Sequence, residues 1–322
     1  MASERLEIIA KVIKSAKSVL IFTHMRPDGD AFGSALALSH ALNGLGIRNA
    51  VLDESDVPPV LDFLDGVDTI CKNPPFDAEL YVAVDCADVF RLGELADVFL
   101  KAKGKKTTVN IDHHISNTRY AKYDYVRECS ANCMNIFALV QAMGAPIDKK
   151  TANCLMAGLL TDSGNFSHDD VTEETFLTAA KLMTYGADIK LLSEKLFKRQ
   201  SKERAGLYAD AMSRVRYALD GRFAAICMTL DDFAKFNAKQ NETEGFVDFP
   251  LSIEGVEVAA ALMEIKKGQF KVSLRSKVYA DVNKIAGVYG GGGHVRAAGC
   301  MLFGEKEEVL DKLTYTVSQY LE

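Results

Sequence analysis

The sequence predicts an α/β protein of two domains, in which a parallel sheet with helices on both faces is joined by a helical linker to a smaller α+β domain. Three observations support this. The chain of 322 residues is long for one hydrophobic core and fits two. The first half alternates short Val/Ile/Leu runs with helical patterns, which is typical of parallel strands covered on both faces. The second half changes to patterns of an antiparallel or mixed sheet.

The first domain is predicted to cover residues 1–187. Its opening segment repeats Leu6, Ile9 and Ile13 at helical spacing, which indicates an amphipathic first helix. Strands are predicted over 18–23, 49–52, 80–85 and 107–112. Helices are predicted over 34–45, 131–143, 150–160 and 173–183.

The segment 188–217 is long and polar, with leucines at helical spacing. These features favour a helical linker between domains, although a surface helix of the first domain would show the same pattern. The second domain is predicted to cover residues 218–322. Its predicted strands are 222–230, 256–265 and 269–276, and its predicted helices are 282–289 and 305–319.

Composition limits the classes of function. No apolar run approaches the roughly 20 residues that span a bilayer, and the N-terminus lacks the order of a signal peptide. The seven scattered cysteines fit reduced thiols, so a cytoplasmic protein without a membrane partner is expected. A net charge of −6 argues against duplex DNA as the main partner, because duplex binders usually carry a broad basic surface. A short anionic substrate held in a local pocket is compatible with this charge.

Four segments place His or Asp at or near the ends of predicted strands and helices. They carry His24, Asp28 and Asp30; Asp85; Asp112, His113 and His114; and Asp162. Because the carboxyl ends of parallel strands lie along one edge of a sheet, we expect the first three segments to converge there. The fourth joins them if its helix packs beside the sheet.

This convergence predicts a metal centre. The carboxylates that would meet are those of Asp28, Asp30, Asp85 and Asp162. Like charges so close cannot all stay ionised, so they take up protons or bind cations, and two divalent ions would neutralise them. With His24 and His113 as nitrogen ligands, the set suits Mn²⁺ better than Ca²⁺, and zinc and iron stay open. Each residue alone has an ordinary explanation, such as a helix cap or a structural histidine, but their joint occurrence favours the metal centre.

The same residues resemble the four signature motifs of the DHH phosphoesterase superfamily. The run GGGGH at 290–294 resembles the glycine-rich motif of the DHHA1 domain, and the segments 245–251 and 272–276 also resemble that domain. The resemblance covers nearly the whole chain. By length and domain content the chain is similar to the branch that contains nano-RNases, pAp phosphatases and dinucleotide phosphodiesterases. One departure is the stretch 130–135, where relatives often carry a Ser/Thr-rich sequence with a Glu.

The resemblance implies two Mn²⁺ ions bridged by Asp85. One ion is expected on His24, Asp28 and Asp85, and the other on Asp30, Asp85, His113 and Asp162. His114 could hydrogen-bond the phosphate or protonate the leaving oxygen. Asp112 could orient a neighbouring histidine.

The second domain is expected to bind the rest of the substrate. Four consecutive glycines let a backbone approach a ligand, and their N–H groups could form an anion nest. Arg275 could contact a phosphate through two nitrogens, although an arginine on the solvent face of a strand is an equally ordinary explanation. The resemblance favours substrate contacts at Arg275, Gly291, Gly292, Gly293 and His294.

The predicted function is manganese-dependent hydrolysis of short oligoribonucleotides to mononucleotides, removal of the 3′-phosphate of pAp to give AMP, or both, by attack of metal-activated water on phosphorus. The nearest alternative is a phosphodiesterase of cyclic or linear dinucleotides. Inorganic pyrophosphatase is disfavoured by the glycine-rich motif, and a long-substrate exonuclease by the lack of further nucleic-acid-binding domains. A non-catalytic nucleotide- or RNA-binding module is the alternative from a different class. A homodimer stays open.

Overall fold

The computed structural model describes the backbone of residues 2–321 and the side chains of residues 4–321. The chain divides into two compact units, Met1–Arg199 and Gln200–Glu322. The segment predicted as a linker forms two helices, one in each unit. They are Ile189–Phe197 in the first unit and Lys202–Ser213 in the second. The domain limits at 187 and 218 stay a prediction.

The first unit alternates strands with helices along the chain, as the sequence predicts. Its strands are β1 Ser18–Phe22, β2 Arg48–Leu52, β3 Leu80–Val84, β4 Thr107–Asp112 and β5 Tyr123–Val126. Its α-helices are α1 Ala2–Ser15, α2 Gly29–Gly44, α3 Leu95–Ala102, α4 Asn132–Ala142, α5 Lys149–Asp162, α6 Glu173–Thr184 and α7 Ile189–Phe197. Short 3₁₀ helices cover Pro59–Leu61, Val67–Thr69 and Val89–Leu92. The sequence patterns missed β5 and α3.

The strands of the first unit form one parallel sheet in the order β2-β1-β3-β4-β5. The chain passes from β1 to β2 on one side and then crosses to β3 on the other side of β1. The carboxyl ends of β1 and β3 therefore flank the point where the strand order reverses, which is where open α/β sheets bind ligands. The predicted fold class is confirmed.

Strand β1 shows why both faces of this sheet are covered. Val19 and Ile21 point into a core with α1, α2, α4 and α5, whereas Leu20 and Phe22 point into a second core with α3. Phe22 packs edge-on against Phe99 of α3, with ring centroids 5.4 Å apart. A continuous apolar run is the pattern that this double burial requires.

Helices α2 and α5 pack closely because glycines lie at their contact. A Cβ at Gly33 would lie 2.5 Å from the carbonyl oxygen of Cys154, and a Cβ at Gly158 would lie 2.7 Å from Oδ1 of Asp30. No ordinary side chain fits at such distances. The close contact places the first turn of α2 beside the last turn of α5, and so brings Asp30 near Asp162.

The second unit is a six-stranded mixed sheet with helices, among the residues that the structure describes. Its α-helices are α8 Lys202–Ser213, α9 Leu230–Phe236, α10 Asp248–Ser252, α11 Val282–Gly287 and α12 Lys306–Ser318, with a 3₁₀ helix at Gln240–Thr243. Its strands are β6 Arg216–Ala218, β7 Phe223–Met228, β8 Val258–Lys266, β9 Gln269–Ser276, β10 Gly292–His294 and β11 Ala297–Phe303. They lie in the order β10-β11-β9-β8-β7-β6, with only the β7–β8 pair parallel in the described sheet. Of the helices described in either unit, none is long and apolar enough to cross a membrane.

Candidate active site

The predicted site residues of the first unit lie where strands and helices end. His24 follows β1, Asp85 directly follows β3, and His113 directly follows β4. Asp162 is the last residue of α5. The parallel sheet therefore collects three of the segments at one edge, and the α2–α5 contact adds the fourth.

Asp28 serves the helix and the site with different oxygens. Its Oδ1 accepts the backbone N–H groups of Asp30 and Ala31, at 3.0 Å each, and caps the N-terminus of α2. Its Oδ2 lies 3.9 Å from Nε2 of His24. The helix-cap explanation and a ligand role are therefore compatible in this residue.

Asp85 lies at the centre of the site. Its side chain is buried, and its backbone has φ +52°, a left-handed conformation that Asp adopts more readily than most residues. Its Oδ2 lies 3.6 Å from Nε2 of His24, and its Oδ1 lies 3.4 Å from Nε2 of His113. Among the described side chains, Oδ1 of Asp85 is the one buried nitrogen or oxygen atom without a hydrogen-bond partner. Since a buried carboxylate oxygen without a partner is costly, this atom requires a cation or a proton.

Backbone carbonyls orient the two histidines that face Asp85. Nδ1 of His24 donates to the carbonyl oxygen of Met25 at 3.0 Å, and Nδ1 of His113 donates to that of Cys129 at 2.8 Å. With the hydrogen on Nδ1, the neutral ring has its lone pair on Nε2, on the side of Asp85. Metal-binding histidines usually show this arrangement.

The N-terminus of α4 holds Asp30. The backbone N–H groups of Asn132 and Cys133 donate to its two carboxylate oxygens, the bond from Cys133 measuring 2.9 Å. A helix N-terminus favours a carboxylate because its first N–H groups lack partners within the helix. The stretch 130–135, which departs from the family motifs in its side chains, therefore positions a predicted ligand through its backbone. The sequence patterns did not indicate it, because the contacting residues are 102 and 103 positions apart.

The buried side chain of Asn135 ties α4 to the end of β4. Its Nδ2 donates to the carbonyl oxygens of Asp112, at 3.1 Å, and Arg127, at 3.0 Å. Its Oδ1 accepts from Nε of Arg127 at 2.8 Å. Sequence reasoning missed this residue as well, since a lone Asn in a helical pattern carries no signal of its own.

Potential ligand atoms of the described residues form three groups in which all atoms lie within 4.8 Å of one another. Two of them contain the predicted ligands: one comprises His24, Asp28 and Asp85, and the other comprises Asp30, His113 and Asp162. The third joins Asp85 and His113 to Asp112 and His114. The N···O distances measured in the cluster are 3.4–3.9 Å, which is longer than a hydrogen bond. Two ligands bound at about 2.1 Å to one ion lie roughly 3.0–3.5 Å apart, so these spaces suit an ion.

Burial and neighbouring charges favour protonated forms in this cluster when no cation is bound. Burial, together with the charge of Asp85, raises the pKa of Asp30 to about 7, and burial with the charge of Asp30 raises the pKa of Asp162 to about 8. Burial alone would lower the pKa of His113, but the adjacent carboxylates of Asp85 and Asp30 raise it to about 10. In Asp85 burial is outweighed by His113 and His24, which hold its pKa below the usual range. A cation entering the cluster would displace protons, as metal binding generally does.

His114 and Asp112 form a bonded pair beside these groups. Nδ1 of His114 lies 2.8 Å from Oδ1 of Asp112 and 3.7 Å from Oδ1 of Asp85, so its hydrogen bond goes to Asp112. The carboxylate of Asp112 is fully buried, whereas the side chain of His114 is 33% exposed. Nε2 of His114 is therefore left for another partner.

In the second unit, two of the four glycines of the motif pack tightly on β11. A Cβ at Gly291 would lie 2.2 Å from the carbonyl oxygen of Gly299, and a Cβ at Gly293 would lie 2.4 Å from that of Ala297. Gly292 differs, because the nearest atom to a Cβ there would be 3.6 Å away. Packing therefore explains two of these glycines and leaves Gly292 without a structural requirement.

The motif differs from the expected nest of free N–H groups. Three of its four glycine N–H groups donate within the unit. Gly290 donates to the oxygen of Gly287, Gly291 to that of Ala286, and Gly293 to Oδ1 of Asn283. Pairing with β11 makes residues 292–294 a short strand, so a ligand would meet side chains here more than free amides.

Arg275 and His294 lie on one face of the second sheet. Ala297 on β11 is in register with Arg275 on β9 and with His294 on β10. Residues directly opposite each other on neighbouring strands point to the same face. The two predicted substrate contacts therefore flank the small side chain of Ala297, with Arg275 partly buried and His294 exposed.

Comparison with known proteins agrees with these features. The DHH family, N-terminal domain, matches residues 18–159, and the DHHA1 domain matches residues 221–322. A bifunctional oligoribonuclease and PAP phosphatase NrnA of Thermus thermophilus is 32% identical over 308 residues, which cover 94% of this chain and 89% of that protein. A probable NrnA of Streptococcus mutans is 29% identical, with 95% and 96% covered. The crystal structure of an exopolyphosphatase-related protein from Bacteroides fragilis has a TM-score of 0.89 at 27% identity, covering 98% of this chain and 96% of its own.

The two family matches follow each other in the chain as the two units do, and the DHH match contains all but one of the residues gathered around Asp85. The relative from Thermus thermophilus extends the likeness across both units. The chain therefore belongs to the DHH phosphoesterases that carry a DHHA1 domain, and it is a hydrolase of phosphate esters.

Proposed function

We propose that the protein is a manganese-dependent phosphoesterase that hydrolyses short oligoribonucleotides to mononucleotides, removes the 3′-phosphate of pAp, or does both. The observation that carries this proposal is the buried carboxylate of Asp85. It faces His24 with one oxygen and His113 with the other, and the oxygen that faces His113 has no hydrogen-bond partner. Two relatives are named as an oligoribonuclease and PAP phosphatase, which supports short RNA and pAp as the substrate class.

The geometry supports two ion positions that share Asp85. We assign one ion to His24, Asp28 and Asp85, and the other to Asp30, Asp85, His113 and Asp162. Carboxylate oxygens combined with imidazole nitrogens suit Mn²⁺ better than Ca²⁺. When bound, such ions activate water and neutralise charge on the phosphoryl group.

The chain's own contribution beside the ions centres on His114. With hydrogens on both ring nitrogens, Nε2 is assigned to donate a hydrogen bond to the phosphoryl group or a proton to the leaving oxygen, while Nδ1–H keeps its bond to Asp112. Asp112 is buried and bonded to Nδ1 of the same ring, so it acts through His114 and not on the substrate.

The face of the second sheet that carries Arg275 and His294 is assigned to bind the rest of the substrate. Across two strand spacings these side chains stand about 10 Å apart, with the small Ala297 between them. A guanidinium and an imidazole on either side of a small side chain suit a phosphate group. Gly292 fits a place where a ligand approaches the backbone closely, since packing does not require a glycine there. Gly291 and Gly293 hold the motif on β11.

Asp85→Asn tests the metal centre with little change of shape. Asn also tolerates the left-handed backbone, so the variant should fold normally. Losing the shared ligand should lower kcat by at least roughly 10²-fold, since metal stabilisation contributes several kcal/mol and 1.4 kcal/mol is tenfold. Asp97→Asn, at an exposed position on α3, is the matched control and should keep full activity. An Asp85→Asn variant with wild-type kcat in Mn²⁺ would overturn the assignment.

A competition assay identifies the substrate. The purified protein with Mn²⁺ is offered pAp, RNA of two to five nucleotides, and linear and cyclic dinucleotides, and kcat/KM is compared. We expect short RNA and pAp to have the highest values. Highest values for a cyclic or linear dinucleotide would replace this proposal with the dinucleotide alternative. Affinity without turnover would indicate a binding module.

We also propose a cytoplasmic location, which the free thiols of all seven cysteines support. The proposed ligands of both ions come from a single chain, so the proposed chemistry does not require a second subunit. Whether the protein is a homodimer is checked by light scattering on the purified chain.

A further inference from the structure

The loop that follows β4 contains a hydrogen-bonded network behind His114. Each carboxylate oxygen of the buried Asp112 has a side-chain partner. Oδ1 accepts from Nδ1 of His114 at 2.8 Å, and Oδ2 accepts from Nδ2 of Asn117 at 2.6 Å. Asn117 therefore contacts the group that orients His114.

The amide of Asn117 has only one orientation that satisfies its neighbours. Its Oδ1 accepts the backbone N–H of Arg119 at 2.7 Å, and its Nδ2 donates to Asp112 and to Oδ1 of Asn110 at 2.8 Å. A flipped amide would set its NH₂ group against the N–H of Arg119 and its oxygen against Oδ2 of Asp112 and Oδ1 of Asn110. Both of its strong donor positions are thus used.

Asn110 fixes this network to the sheet. It lies inside β4 and is fully buried, and its Nδ2 donates to the hydroxyl of Tyr120 at 3.1 Å. The same group donates to the carbonyl oxygens of Ala83 and Cys86. These carbonyls lie on either side of Asp85, so the network joins the segments after β3 and β4.

We propose that Asn117 is a positioning residue for His114. By holding one oxygen of Asp112, it directs the other oxygen at Nδ1 of His114. Because a carboxylate accepts and does not donate, the hydrogen of that bond belongs to Nδ1. The ring is thereby fixed with Nε2 available to the substrate. This inference rests on the proposed role of His114.

A purely structural role is the competing explanation, because an Asn that bonds to the backbone two residues on also stabilises a turn. The two explanations differ in what they predict for chemistry. If Asn117 only anchors the loop, its loss should change kcat by the same factor on every substrate. If it positions His114, its loss should lower kcat only in reactions that need His114.

The test compares two substrates that differ in the leaving group. One is a ribodinucleotide, whose leaving ribose oxygen is strongly basic and needs a proton. The other is the p-nitrophenyl ester of the same nucleotide, whose leaving group departs without one. His114→Ala should lower kcat on the dinucleotide by roughly 10²–10⁴-fold and on the aryl ester far less.

Asn117→Ala should show the same selectivity with a smaller loss, roughly 10–100-fold on the dinucleotide. Asn117→Asp keeps the shape and the acceptor for Arg119 but replaces the donor by an oxygen that repels Oδ2 of Asp112, and should show the same selectivity with at least as large a loss. In a His114→Ala background, either change should have no further effect on kcat. Asn49→Ala removes another amide bonded to backbone and side chains in the first unit, and should leave both reactions unchanged.

The outcomes separate the two proposals. If His114→Ala affects both substrates equally, the assigned role of His114 fails. If His114→Ala is selective but the Asn117 variants affect both substrates equally, or multiply the loss in the double variant, Asn117 is a loop anchor and this inference is overturned.

Discussion

Replacing Gly158 by alanine tests whether the contact between α2 and α5 sets the geometry of the metal centre. The new Cβ would lie 2.2 Å from Sγ of Cys133 and 2.7 Å from Oδ1 of Asp30. Ordinary contacts begin at 3.4 Å, so the sulfur must retreat by about 1.2 Å and the carboxylate oxygen by about 0.7 Å. A proposed metal ligand is therefore displaced without being changed chemically.

The size of both effects follows from this displacement. A shift of about 1 Å in a reacting arrangement costs about 10²-fold in rate, so we expect kcat to fall by roughly 10–100-fold. Overpacking a core costs about 1–3 kcal/mol, whereas alanine in place of glycine within a helix returns about 1 kcal/mol. The free energy of unfolding should thus fall by about 0–2 kcal/mol, and the variant should stay folded.

The assay is a Mn²⁺ titration of pAp or dinucleotide hydrolysis, with thermal unfolding measured in parallel. Gly287→Ala is the matched control, because it makes the same change at the end of α11 where no atom lies within 4 Å. Cys133→Ala added to Gly158→Ala removes the shorter clash and should restore part of the lost activity. Wild-type kcat and Mn²⁺ dependence in Gly158→Ala would refute the reasoning.

Three further outcomes are expected. Without metal, the melting temperature should fall as pH rises from about 5 to 9, because the folded pKa values of Asp30, about 7, and Asp162, about 8, exceed those of the unfolded chain. Thermal unfolding followed by fluorescence in EDTA checks this. Saturating Mn²⁺ should make the melting temperature depend less on pH, and a melting temperature that rises with pH would contradict the prediction. Gly291→Ala should lower the melting temperature, whereas Gly292→Ala should keep it and raise KM, and the reverse pattern would exclude a ligand at Gly292. Asn135→Ala should lower the free energy of unfolding by about 1–3 kcal/mol in urea titration, because it leaves buried groups unpaired; an unchanged midpoint would show that water replaces its bonds.

The fold of the first unit was predictable because its signals are local. The run SVLIF is apolar on both sides of the strand, and such a pattern has few alternatives to a strand in a parallel sheet. Convergence of His24, Asp85 and His113 then follows from the parallel arrangement alone. The position of Asp162 needed the α2–α5 contact, which depends on glycines that sequence patterns do not connect.

The support around these ligands was not predictable for a different reason. The bonds from the stretch 130–135 to Asp30 join distant parts of the chain and use backbone N–H groups, which leave no trace in residue identity. Strand β10 was missed because glycine has low strand propensity, and pairing with β11 overrides it. Asn117 sits close to the histidines in sequence, but an amide in a loop gains meaning only from the orientation of its partners.

The proposed ligands are far apart in the sequence, so a bound ion would also connect distant parts of the polypeptide. Joining Asp30 to Asp162 through one ion closes a loop of roughly 130 residues, and a permanent cross-link closing about 100 residues restricts the unfolded chain by about 4–5 kcal/mol. The ion thus acts as a reversible cross-link for most of the first unit. None of the assigned ligands lies in the second unit, which must rely on its own apolar cores. The two halves of one enzyme would therefore respond differently to a chelator.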